Sequence, residues 1–89
     1  KIALSYFMPF FVYVLYSSKL EKYYVGSTND IEDRLYRHNS GQSTFTKTGI
    51  PWVLIHTEET ATRAEAVRLE KSIKKRGAKR YLQDTGLQG

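Results

Sequence analysis

The sequence predicts an α+β domain in which a small three-stranded antiparallel sheet is flanked by helices, in the order β-β-α-β-α-α. Two aromatic segments separated by a short polar turn predict a hairpin, and a later apolar segment predicts a third strand. Two amphipathic segments that begin with capping residues predict the longer helices. With 89 residues and no internal repeat, the chain has the length of a single domain.

The hairpin strands are predicted at residues 10–17 and 22–27, which are dense in Val, Tyr and Phe. A short polar turn at residues 18–22 joins them, as in an antiparallel hairpin. Tyr13 and Tyr24 place one phenol hydroxyl on each strand. Gly26, near the end of the second strand, indicates a close backbone approach or a bulge.

The first helix is expected to start at Asp30, an N-cap followed by acidic residues, and to end before Gly41 at the C′ position. On a helical wheel, Arg34 and His38 are i, i+4 neighbours that flank the apolar stripe containing Ile31. A guanidinium beside a core-facing stripe needs a reason, because burying an unpaired charge is costly.

Residues 42–51 are predicted to form a polar loop, since Gly and Pro interrupt them. A third strand is predicted at residues 52–57, closed by a loop at the acidic pair 58–59. Trp52 is expected to anchor both the core and the loop. We interpret His56 as structural, because the sequence suggests no partner for it.

Thr62 and Glu65 form a capping box, which predicts a helix running to about Arg76. The apolar stripe of this helix consists of Ala66, Leu69 and Ile73. Glu70 lies beside that stripe, so its carboxylate is expected near the protein interior. A short last helix is predicted at residues 78–84.

We assign residues 1–8 to an N-terminal extension, because Met8-Pro9 resembles a natural start, residues 9–84 to the domain and 85–89 to a tail. The absence of Cys excludes disulfides, thiolate zinc sites and cysteine nucleophiles, so any metal must be held by oxygen or imidazole ligands. The same absence fits a reducing compartment, and we expect a cytoplasmic protein. The apolar N-terminal stretch is too short and interrupted for a membrane helix.

The net charge of +5 is concentrated in residues 63–80, which hold eight basic and two acidic residues. Such a block attracts polyanions, and nucleic acid is the usual partner. The alternative is a solvated helix face that binds nothing.

Five side chains together offer the chemistry of phosphodiester cleavage: Tyr13, Tyr24, Arg34, His38 and Glu70. A carboxylate can hold one divalent ion, a guanidinium can bind phosphate oxygens, and a Tyr or His can position or deprotonate a water. Each residue also has an ordinary interpretation. The tyrosines can be core aromatics, His38 a surface or capping residue, and Glu70 a partner of Lys74 at i+4.

The chain resembles a GIY-YIG nuclease domain, in the small stand-alone subgroup of bacterial predicted endonucleases. The matching elements, in order, are Phe11-Val12-Tyr13, Tyr24-Val25-Gly26, Arg34, His38 and Glu70. The resemblance covers about residues 9–84. Each motif is short, but five elements in order at suitable spacing make it specific.

The resemblance implies a metal-dependent endonuclease that hydrolyses DNA, in repair or processing, with a single Mg²⁺ or Mn²⁺ ion. RNA is not excluded as a substrate. It implies that Tyr13 positions or deprotonates the attacking water, Tyr24 supports the site and Arg34 stabilises the phosphate. It further implies that His38 assists proton transfer, Glu70 holds the metal and Gly26 permits close approach. The DNA backbone would contact Lys71, Lys74, Lys75, Arg76, Lys79 and Arg80.

Two features depart from the family pattern. Phe11 stands where the first motif has its name-giving Gly, and no Asn follows Glu70, so that Lys74 or Gln83 would have to substitute. The alternative function is a binding module that has the fold and the basic helix but no catalytic activity.

Overall fold

The computed structural model describes residues 8–86, in which three strands and three α-helices follow the predicted order. The strands are β1 (Phe10–Ser17), β2 (Lys22–Thr28) and β3 (Trp52–Thr60), and the helices are α1 (Ile31–Asn39), α2 (Arg63–Arg76) and α3 (Ala78–Asp84). The predicted α+β fold class is confirmed. Most of the predicted extension (1–7) and the end of the predicted tail (87–89) lie outside the described residues.

The sheet has β1 at its centre, antiparallel to β2 on one side and to β3 on the other. Alternation along β1 gives the sheet two different faces. Val12 and Val14 pack with residues of α2 and α3, and we call this side the α2 face. Tyr13 and Leu15 pack with residues of α1, and we call this side the α1 face. Both faces are therefore covered, and β1 is buried between them.

The α2 face holds the larger core cluster. Its buried members are Val12, Val14, Val25, Ala66, Ile73 and Leu82. Burying a large aliphatic side chain contributes roughly 1.5–3 kcal/mol, so this cluster stabilises the packing of α2 and α3 on the sheet. The stripe predicted for α2 is in place, with Leu69 partly buried at its margin.

Within residues 8–86, no helix has the length and hydrophobicity to cross a membrane.

Helix α1 begins and ends as the sequence predicts. The side chain of Asp30 accepts a hydrogen bond from the backbone N of Asp33 at 3.0 Å, which caps the first turn. At the other end Gly41 has φ +83°, and the N–H of Gln42 donates to the carbonyl of Arg37 at 3.2 Å. That pairing is the Schellman pattern, in which glycine tolerates the left-handed conformation.

The loop after α1 is fixed by Trp52, the first residue of β3. Asn39 bonds to the backbone of Trp52 twice, donating to its carbonyl at 3.0 Å and accepting from its N–H at 2.6 Å. The Trp52 indole donates to the carbonyl of Thr46 at 2.7 Å. A short 3₁₀ turn, Lys47–Gly49, lies within the predicted loop. The predicted role of Trp52 as anchor of core and loop is confirmed.

The expectation that β3 ends in a loop at the acidic pair 58–59 was wrong. The strand does not end at residue 57, because Phe10 at the start of β1 pairs with Thr60 and extends the ladder. The acidic residue Glu58 can lie in the strand because its carboxylate accepts hydrogen bonds from Tyr81 and, at 2.8 Å, from His56. His56 therefore has a partner in Glu58, and its role is structural. The hydrogen bond from Tyr81 to the same carboxylate ties α3 to the sheet.

Candidate functional site

Three buried side chains form a hydrogen-bonded chain on the α1 face. The Oη of Tyr13 lies 3.1 Å from Nε2 of His38, and the Oγ1 of Thr46 lies 2.8 Å from Nδ1 of the same ring. A neutral imidazole has one donor and one acceptor nitrogen. If Tyr13 donates to His38, then His38 donates to Thr46. In the reverse arrangement Tyr13 accepts from His38, and its own proton can point towards a bound molecule.

His38 is buried, with 5% of its surface exposed, although the sequence allowed it to be a surface residue. Burial lowers the pKa of His38, and the nearby positive charge of Arg34 lowers it further. The imidazole is therefore neutral at pH 7, and it can accept a proton there.

Tyr24 completes an aromatic cluster around His38. The centroid of its ring lies 4.7 Å from that of His38 and 6.3 Å from that of Tyr13. Gly26 pairs with Tyr13 in the sheet, and a Cβ on Gly26 would lie 2.5 Å from the Tyr13 Oη. The lack of a side chain at Gly26 thus leaves room for the Tyr13 side chain, which lies across the strand.

The environment of Tyr13 keeps its hydroxyl protonated. Burial raises the pKa of Tyr13 to about 12, and the neighbouring Tyr24 contributes in the same direction. The Arg34 guanidinium opposes this pKa shift, while the more distant carboxylate of Glu70 adds to it weakly. At pH 7 Tyr13 is therefore neutral, and its hydroxyl can donate or accept a hydrogen bond.

Arg34 lies one helical turn before His38 and borders a cleft of about 240 Å³, which we call the tyrosine cleft. The cleft is lined by Tyr24, Arg34, Arg37, His38, Gln42 and Ser43. Within residues 8–86, no carboxylate lies within 4 Å of the Arg34 guanidinium, whereas Arg37 pairs with Asp33 at 2.9 Å. The partly buried guanidinium is thus placed to meet an anion from outside the described chain.

Glu70 lies on the other side of the sheet. It projects from α2, and its Oε1 accepts a hydrogen bond from Ser27 at 2.8 Å, while its Oε2 pairs with Lys74 at 2.7 Å. The carboxylate lines neither of the two clefts beside Arg34. The structure therefore brings the four other predicted catalytic residues together on the α1 face, and Glu70 approaches them at the edge formed by β2.

Residues 9–82 match the model of the GIY-YIG catalytic domain. This chain belongs to the GIY-YIG family. Among its relatives, a UPF0213 protein of Listeria innocua is 42% identical over 66 residues, which are 73% of this chain and 72% of the relative. A UPF0213 protein of Staphylococcus haemolyticus is 37% identical over 65 residues, 72% of this chain and 78% of the relative.

A solved structure supports the same family. The solution NMR structure of the UPF0213 protein BH0048 from Bacillus halodurans matches with a TM-score of 0.55 and 29% identity, over 92% of this chain and 87% of that one. The predicted resemblance to the small stand-alone GIY-YIG proteins is confirmed. Family membership implies a nuclease-type function and a nucleic-acid substrate.

The two name-giving motifs of this GIY-YIG domain lie side by side in the sheet. The ladder between β1 and β2 pairs Tyr13 with Gly26 and Val12 with Ser27. The hairpin thus places the last residue of the first motif against the last residue of the second. Phe11, at the position of the first Gly, pairs with Thr28, and the larger side chain leaves the ladder intact.

Glu70 is a possible ligand for the divalent ion that GIY-YIG nucleases generally use. Residues 8–86 contain no cluster of three or more His, Cys, Asp or Glu side chains, so a metal at Glu70 would take fewer than three protein ligands of these kinds from the described chain. Mg²⁺ commonly binds through one or two carboxylates, with waters and substrate phosphates completing the shell. The hydrogen bond that Ser27 donates to Oε1 fixes the orientation of the Glu70 carboxylate. The exposed ammonium of Lys74 occupies one carboxylate oxygen and would have to move aside.

The basic residues predicted to contact DNA are exposed on α2 and α3. Two of them already have acidic partners, since Lys74 pairs with Glu70 and Arg76 with Asp84. Of the six, Lys71, Lys75, Lys79 and Arg80 have no carboxylate within 4 Å in the described part of the chain. Lys74 contacts Glu70, whereas Gln83 is exposed on α3.

Sequence reasoning missed two residues that support the site. Thr46 holds His38 from within a loop that the sequence marks only as polar. Ser27 holds Glu70 across 43 positions of chain. A signal for Ser27 existed, because it follows Gly26 and must point to the opposite face of the sheet. No local pattern distinguishes Thr46 from the other threonines of its loop.

Proposed function

We propose that this GIY-YIG protein is a metal-dependent endonuclease that hydrolyses phosphodiester bonds in DNA, in repair or processing. The observation that carries the proposal is the meeting of Tyr13, Tyr24, His38 and Arg34 beside the tyrosine cleft, with no acidic group in its lining. Phosphodiester cleavage requires a cation at the phosphate and a group that can orient or deprotonate water. These side chains supply both.

Arg34 binds the phosphate in this proposal. Its guanidinium offers a planar set of donors that matches phosphate oxygens, and its position on α1 keeps it close to Tyr13. Charge that develops on the phosphate in the transition state would meet a fixed positive group, which is the largest contribution available to such a site.

Tyr13 orients the attacking water in this proposal, and His38 accepts the proton of the Tyr13 hydroxyl. A pKa of about 12 disfavours the tyrosinate, so Tyr13 acts through its hydroxyl, as acceptor or donor. A proton that Tyr13 takes from water can be balanced by transfer of its own proton to the neutral His38 at 3.1 Å. Thr46 then stabilises the imidazolium by accepting from Nδ1.

Glu70 holds a single Mg²⁺ or Mn²⁺ ion in this proposal. When bound, such an ion would offset the negative charge of a phosphate oxygen and stabilise the leaving oxygen. The chain itself contributes the carboxylate, the Ser27 hydroxyl that orients it, and the release of Lys74 from its ion pair.

The test is nicking of supercoiled plasmid with Mg²⁺ or Mn²⁺, repeated on branched and single-stranded DNA and on RNA. The wild type should cut DNA, EDTA should stop cleavage, and Glu70→Gln should lower the rate at least about 100-fold, as the loss of a ligand or catalytic group does. Glu65→Gln is the matched control, since it changes an exposed carboxylate of the same helix that caps the backbone of Ala61. Cleavage by Glu70→Gln at the rate of Glu65→Gln would refute the metal role.

The second candidate is a nucleic-acid-binding module without catalysis. It is favoured by the ion pair between Lys74 and Glu70, because an ammonium at 2.7 Å competes directly with a metal ion. This candidate predicts that all the nucleic acids remain uncut while fluorescence anisotropy still reports binding. It also predicts that Lys74→Met leaves the protein inactive, whereas the nuclease proposal predicts that removing the ammonium lowers the metal concentration needed for cleavage.

A further inference from the structure

A second cleft, of about 80 Å³, lies where β1 begins and β2 ends, and we call it the strand-end cleft. Its lining consists of Phe10, Ser27, Thr28, Asn29, Arg34 and Arg63. The lining holds two guanidinium groups and no carboxylate. Two like charges that face one small cleft repel each other, and an anion between them would remove that repulsion.

The position of Arg63 is set by the fold. It is the first residue of α2, whose start is fixed because Thr62 accepts a hydrogen bond from the N–H of Glu65 at 3.1 Å. The Arg63 guanidinium lies 5.2 Å from the ring centroid of Phe10, within the range of a cation–π contact. Among residues 8–86, no carboxylate lies within 4 Å of it. Arg63 therefore has a packing partner but no ionic partner in the described chain.

The two guanidinium groups and the side-chain amide of Asn29 are the donors left for a ligand in this cleft. The hydroxyl of Ser27 already donates to Glu70 at 2.8 Å. The hydroxyl of Thr28 is engaged with the backbone of Asp30, accepting from its N–H at 3.0 Å. A ligand of the strand-end cleft must therefore be recognised mainly by charge and by the planar donors of two arginines, which suits a phosphate.

Arg34 borders both the tyrosine cleft and the strand-end cleft. Because one guanidinium borders both clefts, anions held in them would both lie beside Arg34, as two successive phosphates of one nucleic-acid strand would. We infer that the strand-end cleft binds the phosphate next to the one held in the tyrosine cleft, with Arg63 as its second arginine. This inference rests on the proposed function in taking a nucleic-acid strand as the ligand and Arg34 as a phosphate-binding residue, and it does not depend on cleavage.

The test is a binding experiment without metal, so that it does not depend on cleavage. The probes are a thymidine dinucleotide, which has one phosphate, and a thymidine trinucleotide, which has two, in low salt with EDTA. Two further trinucleotides carry an uncharged methylphosphonate at the first or the second linkage. Binding is followed by ¹H–¹⁵N NMR, using backbone amides for affinity and the arginine Nε–Hε signals for location. The backbone spectrum also shows whether each variant is folded.

The wild type should bind the trinucleotide about tenfold more tightly than the dinucleotide, as expected for one further charge-assisted contact. Arg63→Ala should remove that gain in affinity. The affinity of this variant should also stay the same when a methylphosphonate replaces the phosphate at one of the two linkages. Arg68→Ala, an equal change of charge at an exposed position of the same helix, should keep both effects. The Nε–Hε signal of Arg63 should shift with the trinucleotide and not with the dinucleotide.

Equal behaviour of the Arg63→Ala and Arg68→Ala variants would overturn the inference, and so would a trinucleotide that binds the wild type no better than the dinucleotide. Either result leaves the plasmid-nicking outcome untouched. Conversely, a protein that cuts no DNA but shows the Arg63-dependent gain would retain the phosphate site and lose the nuclease proposal.

Discussion

Gly26→Ala is predicted to destabilise the fold because the Tyr13 side chain occupies the space of the new methyl group. A Cβ at position 26 would lie 2.5 Å from the Tyr13 Oη and 2.7 Å from its Cζ. Tyr13 cannot move away easily, since it is 1% exposed, packs with Leu15 and Trp52 and bonds to His38. Overpacking of this kind costs about 1–3 kcal/mol.

The sign of the effect makes this prediction decisive. Gly26 has no positive φ, so without a clash an alanine there would stabilise the protein by about 0.4–1 kcal/mol, through the lower entropy of the unfolded chain. We instead expect the urea midpoint to fall by about 1 M, for an m value of roughly 1–3 kcal/mol per M. Equilibrium urea unfolding, followed by far-UV circular dichroism, measures this shift.

Tyr13→Phe serves as the second arm of a double-mutant cycle. It removes the hydroxyl, which is the nearest atom to the added methyl group, and leaves the rest of the ring in place. Gly26→Ala should therefore cost less in the Tyr13→Phe background than in the wild type. A midpoint that rises on Gly26→Ala would refute the packing of Tyr13 over Gly26, and an equal cost in both backgrounds would refute the part of the hydroxyl in the clash.

Three further predictions concern the supports of the site. Thr46→Val should lower the free energy of unfolding by about 1–3 kcal/mol, because it leaves a buried His38 nitrogen without its partner; urea unfolding measures the loss. Asn39→Ala should cost about 1–2 kcal/mol in the same assay, because Trp52 loses two backbone hydrogen bonds. Above pH 10 stability should fall towards pH 12, because unfolding then releases a proton that the folded protein retains on Tyr13; Tyr13→Phe should reduce the loss, seen as thermal midpoint against pH.

The elements that could be predicted from sequence are those whose signals are local. Asp30, Gly41 and Thr62 mark helix ends through side-chain and backbone geometry that depends on a few neighbours. The pairing of β1 with β2 follows in the same way from a short polar turn between two aromatic segments. These features need no knowledge of the tertiary structure.

The features that were missed depend on contacts between distant residues. The end of β3 at Thr60 is set by pairing with Phe10, 50 positions earlier, and not by the local acidic pair. The partner of His56 is the carboxylate of Glu58, which also accepts a hydrogen bond from the distant hydroxyl of Tyr81. Helical-wheel geometry predicted that Glu70 turns inward, but it could not tell which sheet face α2 covers.

The position of Glu70 relative to the tyrosines is decided by two successive residues of β2. Neighbouring residues of a strand point to opposite faces, so Gly26 receives Tyr13 on the α1 face while Ser27 binds Glu70 on the α2 face. The carboxylate and the phenol are therefore held from one short segment at an edge strand. Because both groups depend on the same segment, a bulge or register shift in β2 would displace the proposed metal ligand and the proposed water-orienting hydroxyl together. This coupling gives a physical reason for a glycine followed by a small hydroxyl residue in the second motif, independent of any direct contact with substrate.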